Sequence, residues 1–199
     1  MALSSVAEVF IVESNQLKDE QAGDREGFAL AEILSLCGKK PQYRYIRTKR
    51  ELFAILNQFS SSGYRYLHLA CHGVSGGLAL SLEDLSFRAL ARILAPHMRR
   101  RRLFVSACEG VCRELAFPLV KNAKCHSVVG PQRDILFSDS AVVWAAFYTL
   151  MFKIDDSSMR TIDIVETLKP LCRLFRVQFG VYFHEKSSES YSFLKVDAS

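Results

Sequence analysis

The sequence predicts an α/β fold in which a mostly parallel central sheet lies between two layers of helices. Short apolar runs with the character of strands alternate with helical patterns along the chain, and such alternation is typical of parallel sheets with helices on both faces. The composition agrees, because 49% of the 199 residues are hydrophobic while only 10 are Gly and 5 are Pro. We therefore expect a globular chain long enough for one domain with a sizeable core.

Each predicted element is identified by its periodicity. Residues 5–13 form a short β-rich run, residues 25–38 carry apolar side chains at helical spacing up to Gly38, and residues 42–48 alternate as a strand does. The other predicted helices are 49–59, 87–98, 112–123, 139–152 and 161–175, and the other predicted strands are 64–70, 102–107, 126–130 and 176–184. Sequential strands in such a sheet are usually neighbours.

The chain is predicted to be one domain over residues 1–185, followed by an edge strand or loose tail over residues 186–199. No apolar run reaches the roughly 18–20 residues of a membrane helix, and residues 6–12 are too short for a signal peptide. Most of the six cysteines lie inside apolar periodic runs, as free thiols do. We therefore expect a cytoplasmic protein without membrane contact.

The charge balance is mildly basic, with 26 Lys and Arg against 21 Asp and Glu. Arg99–Arg102 is a run of four arginines that could contact nucleic acid or an acidic partner. No aromatic interleaving or nucleic-acid motif accompanies this run. A solvated connection between a helix and a strand is therefore favoured, and direct contact with nucleic acid is not expected.

Two apolar runs end in the same way, on residues with reactive side chains. The run YLHLACHGVSGG, which begins at residue 66, leaves its strand at His72 and Gly73, and the run RLFVSACEG, which begins at residue 102, leaves its strand at Cys108. The functional crevice of a parallel sheet lies at the carboxyl ends of its strands. His72 and Cys108 are therefore predicted to lie on one rim, and on adjacent strands if sequential strands are neighbours.

A metal site and a phosphate loop are alternative interpretations of this rim. His68 and His72 would lie about 13 Å apart along a strand, too far to share one ion. A site drawn from Cys71, His72, Cys108 and Cys112 stays open, although no pair has the spacing of a zinc knuckle. The glycines after His72 match neither phosphate-binding pattern, and no helix follows them directly.

A cysteine nucleophile explains the rim better. A helical segment begins soon after Cys108, and its positive end would stabilise the thiolate, while His72 supplies an imidazole as the partner base. The backbone N–H groups of Gly73 and Cys108 could face a developing oxyanion, and Gly110 permits a sharp exit after the cysteine. Either Cys108 or His72 alone would indicate an ordinary buried side chain, but their paired placement favours catalysis.

These motifs resemble those of the caspase-like cysteine peptidases, and the details are most similar to the bacterial CHAT-type branch. HLACHG (68–73) and FVSACEG (104–110) match the two catalytic motifs of that family. KNAKCHSVVG and DSAVVWAAFYTLMF match the next strand and its helix with the pair Phe147-Tyr148. The resemblance covers residues 6–183, nearly the whole chain.

The resemblance implies a caspase-like three-layer α/β/α sandwich and a cysteine endopeptidase that acts on a protein substrate. Cys108 would be the nucleophile, His72 its acid/base partner, and the N–H groups of Gly73 and Cys108 the oxyanion hole, with no metal or cofactor required. Ser106 matches a position that lines the primary specificity pocket of such enzymes. Because Ser106 is small and neutral, we expect a preference for an apolar or neutral residue over a strict preference for Asp or for Lys and Arg.

The segment after Cys108 holds one predicted helix and no long polar linker before the next strand. We therefore expect a single-chain enzyme that is activated by a partner protein and not by self-cleavage. The resemblance suggests a bacterial stress, death or anti-phage pathway. The alternative is a catalytically inactive interaction module of the same fold, which the intact His72, Gly73 and Cys108 disfavour.

Overall fold

Nine strands form one sheet in the computed structural model, which describes residues 5–185 and 191–197. The strands are β1 (Val6–Ser14), β2 (Gln42–Tyr45), β3 (Tyr64–Val74), β4 (Gly77–Ala79), β5 (Asp84–Ser86), β6 (Arg102–Ser106), β7 (Ser127–Pro131), β8 (Phe179–His184) and β9 (Tyr191–Val196). The main path is β2-β1-β3-β6-β7-β8-β9, and its first five strands are parallel while β8 and β9 are antiparallel. The predicted fold class is confirmed.

Helices cover both faces of this sheet. They are α1 (Leu17–Ala22), α2 (Glu26–Leu36), α3 (Lys49–Ser62), α4 (Phe87–Leu94), α5 (Arg113–Phe117), α6 (Phe137–Ile154) and α7 (Thr161–Phe175). One part of the core lies under α3, α4 and α5, and the other lies under α2, α6 and α7. Within β1, Phe10 and Val12 belong to the first part and Ile11 to the second, because successive strand side chains point to opposite faces. None of the helices in the described part of the chain combines the length and apolarity needed to cross a bilayer.

Helix α3 shows how local signals set the ends of an element. Thr48 and Glu51 form a reciprocal capping box at its start, in which each side chain accepts a backbone N–H of the other residue. Gly63 ends the helix with a left-handed φ of 74°. The predicted end at residue 59 is early, because the serines at 60–62 remain helical until this left-handed residue.

The rim at the carboxyl ends of the strands carries two elements that periodicity did not identify. Strand β3 continues past its parallel partner, and its last three residues pair with β4 in an antiparallel ladder. β4 in turn pairs with β5, so residues 77–86 form a hairpin beside His72. Helix α1 lies between β1 and α2 and has no buried residue, which explains why no apolar pattern predicts it.

The run Arg99–Arg102 is only partly solvated. Its first two side chains are exposed, as expected for a surface connection. Arg101 instead lies 4.2 Å above the ring of Phe59 and donates to two backbone carbonyl groups. Arg102 begins β6 and donates to the hydroxyl of Ser127 at 2.8 Å. Long cationic side chains can bury their stems while their head groups keep polar partners. The expected solvated connection is therefore found at the first two arginines and not at the last two.

The C-terminal segment was predicted over residues 186–199. Residues 191–196 form β9, which pairs with β8 at the edge of the sheet. Residues 186–190 and 198–199 lie outside the described residues, so the prediction of an edge strand or tail is untested there.

Candidate active site

The ends of β3 and β6 bring His72 and Cys108 together. The two strands are parallel neighbours, and their last paired residues are Ala70 and Ser106. His72 and Cys108 each lie two positions beyond this pair, and both line a cavity of about 210 Å³. The predicted common rim and adjacent strands are therefore confirmed.

The backbone of Gly73 lies directly against the backbone of Cys108. A Cβ atom on Gly73 would lie 1.9 Å from the carbonyl oxygen of Cys108 and 3.0 Å from the Cys108 Cβ. Only a residue without a side chain tolerates such an approach, so any other residue would push the two strand ends apart. Glycine at position 73 is thus what allows the imidazole and the thiol to share one cavity.

The sulfur of Cys108 contacts the backbone of Ile135, in the loop before α6. The N–H of Ile135 donates to the sulfur at 3.4 Å, and the thiol lies 3.4 Å from the carbonyl oxygen of the same residue. The thiol thus both accepts from and donates to the backbone of Ile135, and these two contacts fix the position of the sulfur at the cavity. The sequence predicted that a helix just after Cys108 would face the thiol, but α5 begins only at Arg113 and has five residues. The backbone that contacts the sulfur therefore comes from a different loop.

The chain leaves β6 through a tight turn that contains Cys108. The N–H of Gly110 donates to the carbonyl of Ala107 at 3.0 Å. Glu109 adopts the left-handed conformation, with φ of 50°, while Gly110 permits the sharp exit, as expected, through its lack of a side chain and not through a left-handed φ. Gly110 is needed because a Cβ there would lie 2.8 Å from the Ala107 oxygen. Left-handed non-glycine residues are strained and cluster at functional sites.

His72 is held by two side chains that sequence reasoning missed. Its ring stacks on that of Phe137, with 6.2 Å between the centroids and 16° between the planes. Its Nε2 lies 3.0 Å from Oδ2 of Asp19, in α1, without an in-line hydrogen bond. A carboxylate at this distance can orient an imidazole ring. Asp19 and Phe137 therefore position the ring of His72.

A buried carboxyl group forms the inner wall of the cavity. The hydroxyls of Ser106 and Ser140 lie 2.6 Å apart, and both donate to Oε1 of Glu26. All three residues line the cavity together with Cys108. Ser106 thus lies beside the thiol, as the resemblance implied. The expectation of a preference for apolar or neutral residues rested on Ser106 alone. The structure adds an acidic side chain to the cavity wall, that of Glu26, which lies 80 positions before Ser106 in the chain.

The environment of Glu26 makes it hard to ionise. Burial raises the pKa of Glu26 to about 7, against the effect of the two serine hydroxyls, and the nearby Glu13 raises it further. Glu13 in turn accepts the N–H groups of Gly27 at 2.8 Å and Phe28 at 3.2 Å, and so caps the N-terminus of α2. Because this cap comes from β1 and not from α2 itself, it fixes the position of Glu26, the first residue of α2, at the cavity.

The raised pKa of Glu26 predicts that stability falls as pH rises. Between the ordinary pKa of 4.5 and the folded-state pKa of about 7, the folded protein binds more protons than the unfolded chain, so the free energy of unfolding decreases across this range. The difference corresponds to roughly 3 kcal/mol. We expect Glu26→Gln to match the wild type at pH 4.5 and to exceed its unfolding free energy at pH 8, as measured by urea denaturation.

The matched control for this measurement is Glu109→Gln. The carboxylate of Glu109 is exposed beside the same cavity, and its replacement should change the free energy of unfolding by no more than about 0.5 kcal/mol at either pH. Equal pH dependence in the wild type and in Glu26→Gln would show that Glu26 ionises in the folded protein as easily as in the unfolded chain.

The other reactive side chains near the rim are less accessible. Burial raises the pKa of the Cys71 thiol to about 12 and lowers that of His68 to about 3. His68 contacts the hydroxyl of Tyr148 at 3.2 Å inside the core. Among residues 5–185 and 191–197, no group of three or more His, Cys, Asp or Glu side chains is arranged to hold a metal ion, and the four-residue metal site considered from the sequence is therefore not formed.

Comparisons with known proteins identify the fold. No family model matches the sequence, and a search of curated proteins finds no match. Among solved structures, iotapain, a secreted C11 cysteine protease from Bacteroides thetaiotaomicron, superposes with a TM-score of 0.58 at 11% identity over 91% of this chain and 67% of its own. A secreted C11 protease from the same organism, in complex with an irreversible peptide inhibitor, gives 0.61 at 9% identity over 90% and 66% of the two chains.

A third solved structure shares a larger part of its length with this chain. Caspase-1 from Spodoptera frugiperda gives a TM-score of 0.57 at 12% identity, over 98% of this chain and 88% of its own. The present chain spans about two thirds of the C11 structures, which are therefore larger than the shared core. The protein has the three-layer α/β/α fold of the caspase-like cysteine proteases.

Proposed function

We propose that the protein is a cysteine endopeptidase in which His72 and Cys108 form the catalytic dyad. The observation that carries this proposal is the meeting of the two residues at neighbouring strand ends, around one cavity, with Gly73 packed against the backbone of Cys108. The fold shared with caspase-like cysteine proteases supports the same reaction class.

The chemistry is acyl transfer followed by hydrolysis. The Cys108 thiolate forms a bond to the carbonyl carbon of the substrate, and the carbonyl π electrons move to the oxygen, which the N–H groups of Gly73 and Cys108 stabilise. Collapse of this intermediate breaks the C–N bond as His72 protonates the leaving amine. A water molecule, deprotonated by His72, then attacks the thioester and releases the carboxylate product and the thiol.

Asp19 acts as a positioning residue in this scheme. Its carboxylate lies 3.0 Å from Nε2 of His72, so it orients the imidazole towards the cavity that holds Cys108. The stacked ring of Phe137 limits rotation of the imidazole on the other side. Together these contacts hold His72 in place.

The substrate class follows from Glu26. The cavity of about 210 Å³ is smaller than the roughly 300–1,000 Å³ of sites for whole small molecules, so it accommodates one side chain. Its inner wall carries a carboxyl group with a pKa raised by burial to about 7, and a cation in the cavity would favour the ionised form. The proposed substrate is therefore a protein cleaved after a Lys or Arg residue.

Partner activation and biological setting belong to the same proposal. The segment between Cys108 and β7 is occupied by α5 and a π-helical turn at Pro118–Asn122, which leaves no long linker for a maturation cleavage. This supports a single-chain enzyme switched by a partner protein. Membership of the CHAT-type branch, a cytoplasmic location and a role in a bacterial stress, death or anti-phage pathway are proposed from the sequence motifs.

The dyad is tested by the rate at which Cys108 is alkylated. At pH 6 we expect iodoacetamide to label Cys108 roughly tenfold faster than the exposed Cys37, because in the proposed dyad His72 acts as the base that takes the thiol proton. The advantage should disappear in His72→Ala and shrink in Asp19→Asn. Labelled peptides are quantified by mass spectrometry, and Cys37 serves as the internal reference.

The same measurement separates the two function classes. Slow labelling of Cys108 that is unaffected by His72→Ala would contradict a catalytic dyad. The alternative, an inactive interaction module of the same fold, would then be favoured.

A further inference from the structure

A second cavity lies at the opposite end of the strands that carry His72 and Cys108. Its volume is about 510 Å³. It is bordered by the starts of β3 and β6, the segment before β7, the end of β8 and the connection between α6 and α7. The amino ends of the parallel strands meet here, so this cavity is separated from the candidate active site by the length of the sheet.

The wall of this cavity is strongly cationic. No Asp or Glu is among its lining residues, whereas five permanent cations are: Arg65, Arg100, Arg102, Lys124 and Arg160. Arg160 pairs with Asp163. Within the described part of the chain, the other four form no ion pair. Four of the five cations that line the cavity thus lack an ion-pair partner among the described residues, and the nearby Asp155 interacts with Tyr66 and Arg160 without lining the cavity.

Arg102 is the most deeply placed of these cations. Its guanidinium donates to two neutral hydroxyls, those of Ser127 at 2.8 Å and Thr161 at 3.4 Å. Burial lowers the pKa of Arg102, which shows that its charge is poorly compensated. A partly buried charge without a partner is costly, and an anion in the cavity would offset that cost.

Unused hydrogen-bonding groups lie next to Arg102. Nε of Arg65 is buried and has no hydrogen-bond partner among the described residues. The hydroxyl of Tyr66, a 2% exposed residue, also has no partner of good geometry among those residues, although it lies near the backbone of Met159. Buried donors are normally satisfied, so the unpartnered Nε of Arg65 is available to an acceptor in the cavity.

The backbone around the cavity agrees with an anion site. Arg100 and Lys124 both adopt left-handed conformations, with φ of 60° and 57°, and the N–H of Arg100 donates to the carbonyl of Lys124 at 3.0 Å. Such non-glycine conformations are strained and concentrate at functional sites. The 15-residue helix α7 also begins at the cavity; the side chain of its N-cap residue, Arg160, makes no cap, and the carboxylate of Asp163 in the first turn accepts the backbone N–H of Arg160.

We propose that this cavity binds a small molecule that carries two or more phosphate groups. Guanidinium groups match phosphate oxygens in charge and geometry, and four unpaired cations exceed what a single phosphate would neutralise. The volume of about 510 Å³ lies in the roughly 300–1,000 Å³ range of small-molecule sites. A cavity of this size at the strand ends suits such a molecule better than an extended acidic protein segment or nucleic acid. This inference does not depend on the proposed peptidase activity.

The test is calorimetric titration of the full chain with tripolyphosphate at constant ionic strength. We expect a dissociation constant on the order of 10 μM, at least about tenfold tighter than that of inorganic phosphate. The double variant Arg65→Ala/Lys124→Ala should weaken binding by at least about tenfold, and Arg65→Lys should retain part of the affinity. Thermal unfolding of each free variant verifies that it is folded.

The matched control is Arg50→Ala, which removes an exposed cation on α3, outside the cavity. It should leave the affinity for tripolyphosphate unchanged. The proposal is overturned if tripolyphosphate gives no heat and no thermal stabilisation, or if Arg50→Ala weakens binding as much as the double variant. Tighter binding of an oligonucleotide or a poly-glutamate peptide than of tripolyphosphate would also overturn it, in favour of a macromolecular partner.

Discussion

Cys108→Ala is expected to abolish peptide hydrolysis, with a fall in rate of roughly 10³-fold or more. The reaction requires a nucleophile that forms and releases an acyl bond, and alanine leaves only the binding and polarising groups of the site. The thiol is partly exposed to the cavity, so its loss should have little effect on packing. Activity is measured on a proteome-derived peptide library by mass spectrometry, which requires no prior choice of substrate.

The control for this variant is Cys112→Ala. Cys112 lies four positions after Cys108 and is also partly buried, and burial raises the pKa of its thiol, so it is not expected to react. Its replacement should leave the rate within about twofold of the wild type. Retention of full hydrolysis by Cys108→Ala would disprove the catalytic role of that residue, whereas equal loss in both variants would indicate damage to the fold.

Glu26→Gln is expected to remove the preference for Lys and Arg at the cleaved bond. A buried charge pair that loses one partner typically costs about 2–5 kcal/mol, or roughly 30- to 5,000-fold in rate. In the wild type, cleavage after basic residues should rise as pH increases through about 7, because the Glu26 carboxyl ionises there. In Glu26→Gln this pH dependence should be absent, since glutamine keeps the shape and cannot ionise.

Glu109→Gln separates this effect from a general loss of negative charge at the site. Glu109 follows the nucleophile directly, but its side chain is exposed, so its replacement should preserve both the preference and the pH profile. Wild-type cleavage after apolar or neutral residues would contradict the role of Glu26. It would support instead the preference inferred from Ser106 alone, while the dyad itself would remain established by the cleavage.

Much of the site could be predicted because its key residues end two buried strands. Near-continuous apolar runs identify β3 and β6, and sequential parallel strands tend to be neighbours, so the amino-acid pattern alone places His72 and Cys108 on one rim. The observed pairing of Ala70 with Ser106 agrees with the predicted adjacency of these strands. For these two residues, periodicity and residue type were enough to predict their place in the fold.

Other parts of the site have no local signal. Helix α1 buries no residue, so no apolar periodicity marks it, and its Asp19 could not be linked to His72. Glu26 lies where acids are common in the first turn of any helix. Its unusual environment arises from Ser106, 80 positions away. Gly73 was predicted as an unshielded N–H donor, but its close approach to the Cys108 carbonyl is visible only in three dimensions.

The sequence by itself therefore determined the α/β class, the order of most elements and the two strand ends that carry the imidazole and the thiol, because periodicity and strand polarity are local properties. Only the tertiary structure decided which distant groups surround them. It placed the carboxylate of Asp19 beside His72, the carboxyl of Glu26 in the cavity wall, and four cations from separate strand starts and loops around a second cavity. Burial and proximity of charges depend on which segments pack together, and that packing is set by the whole sheet.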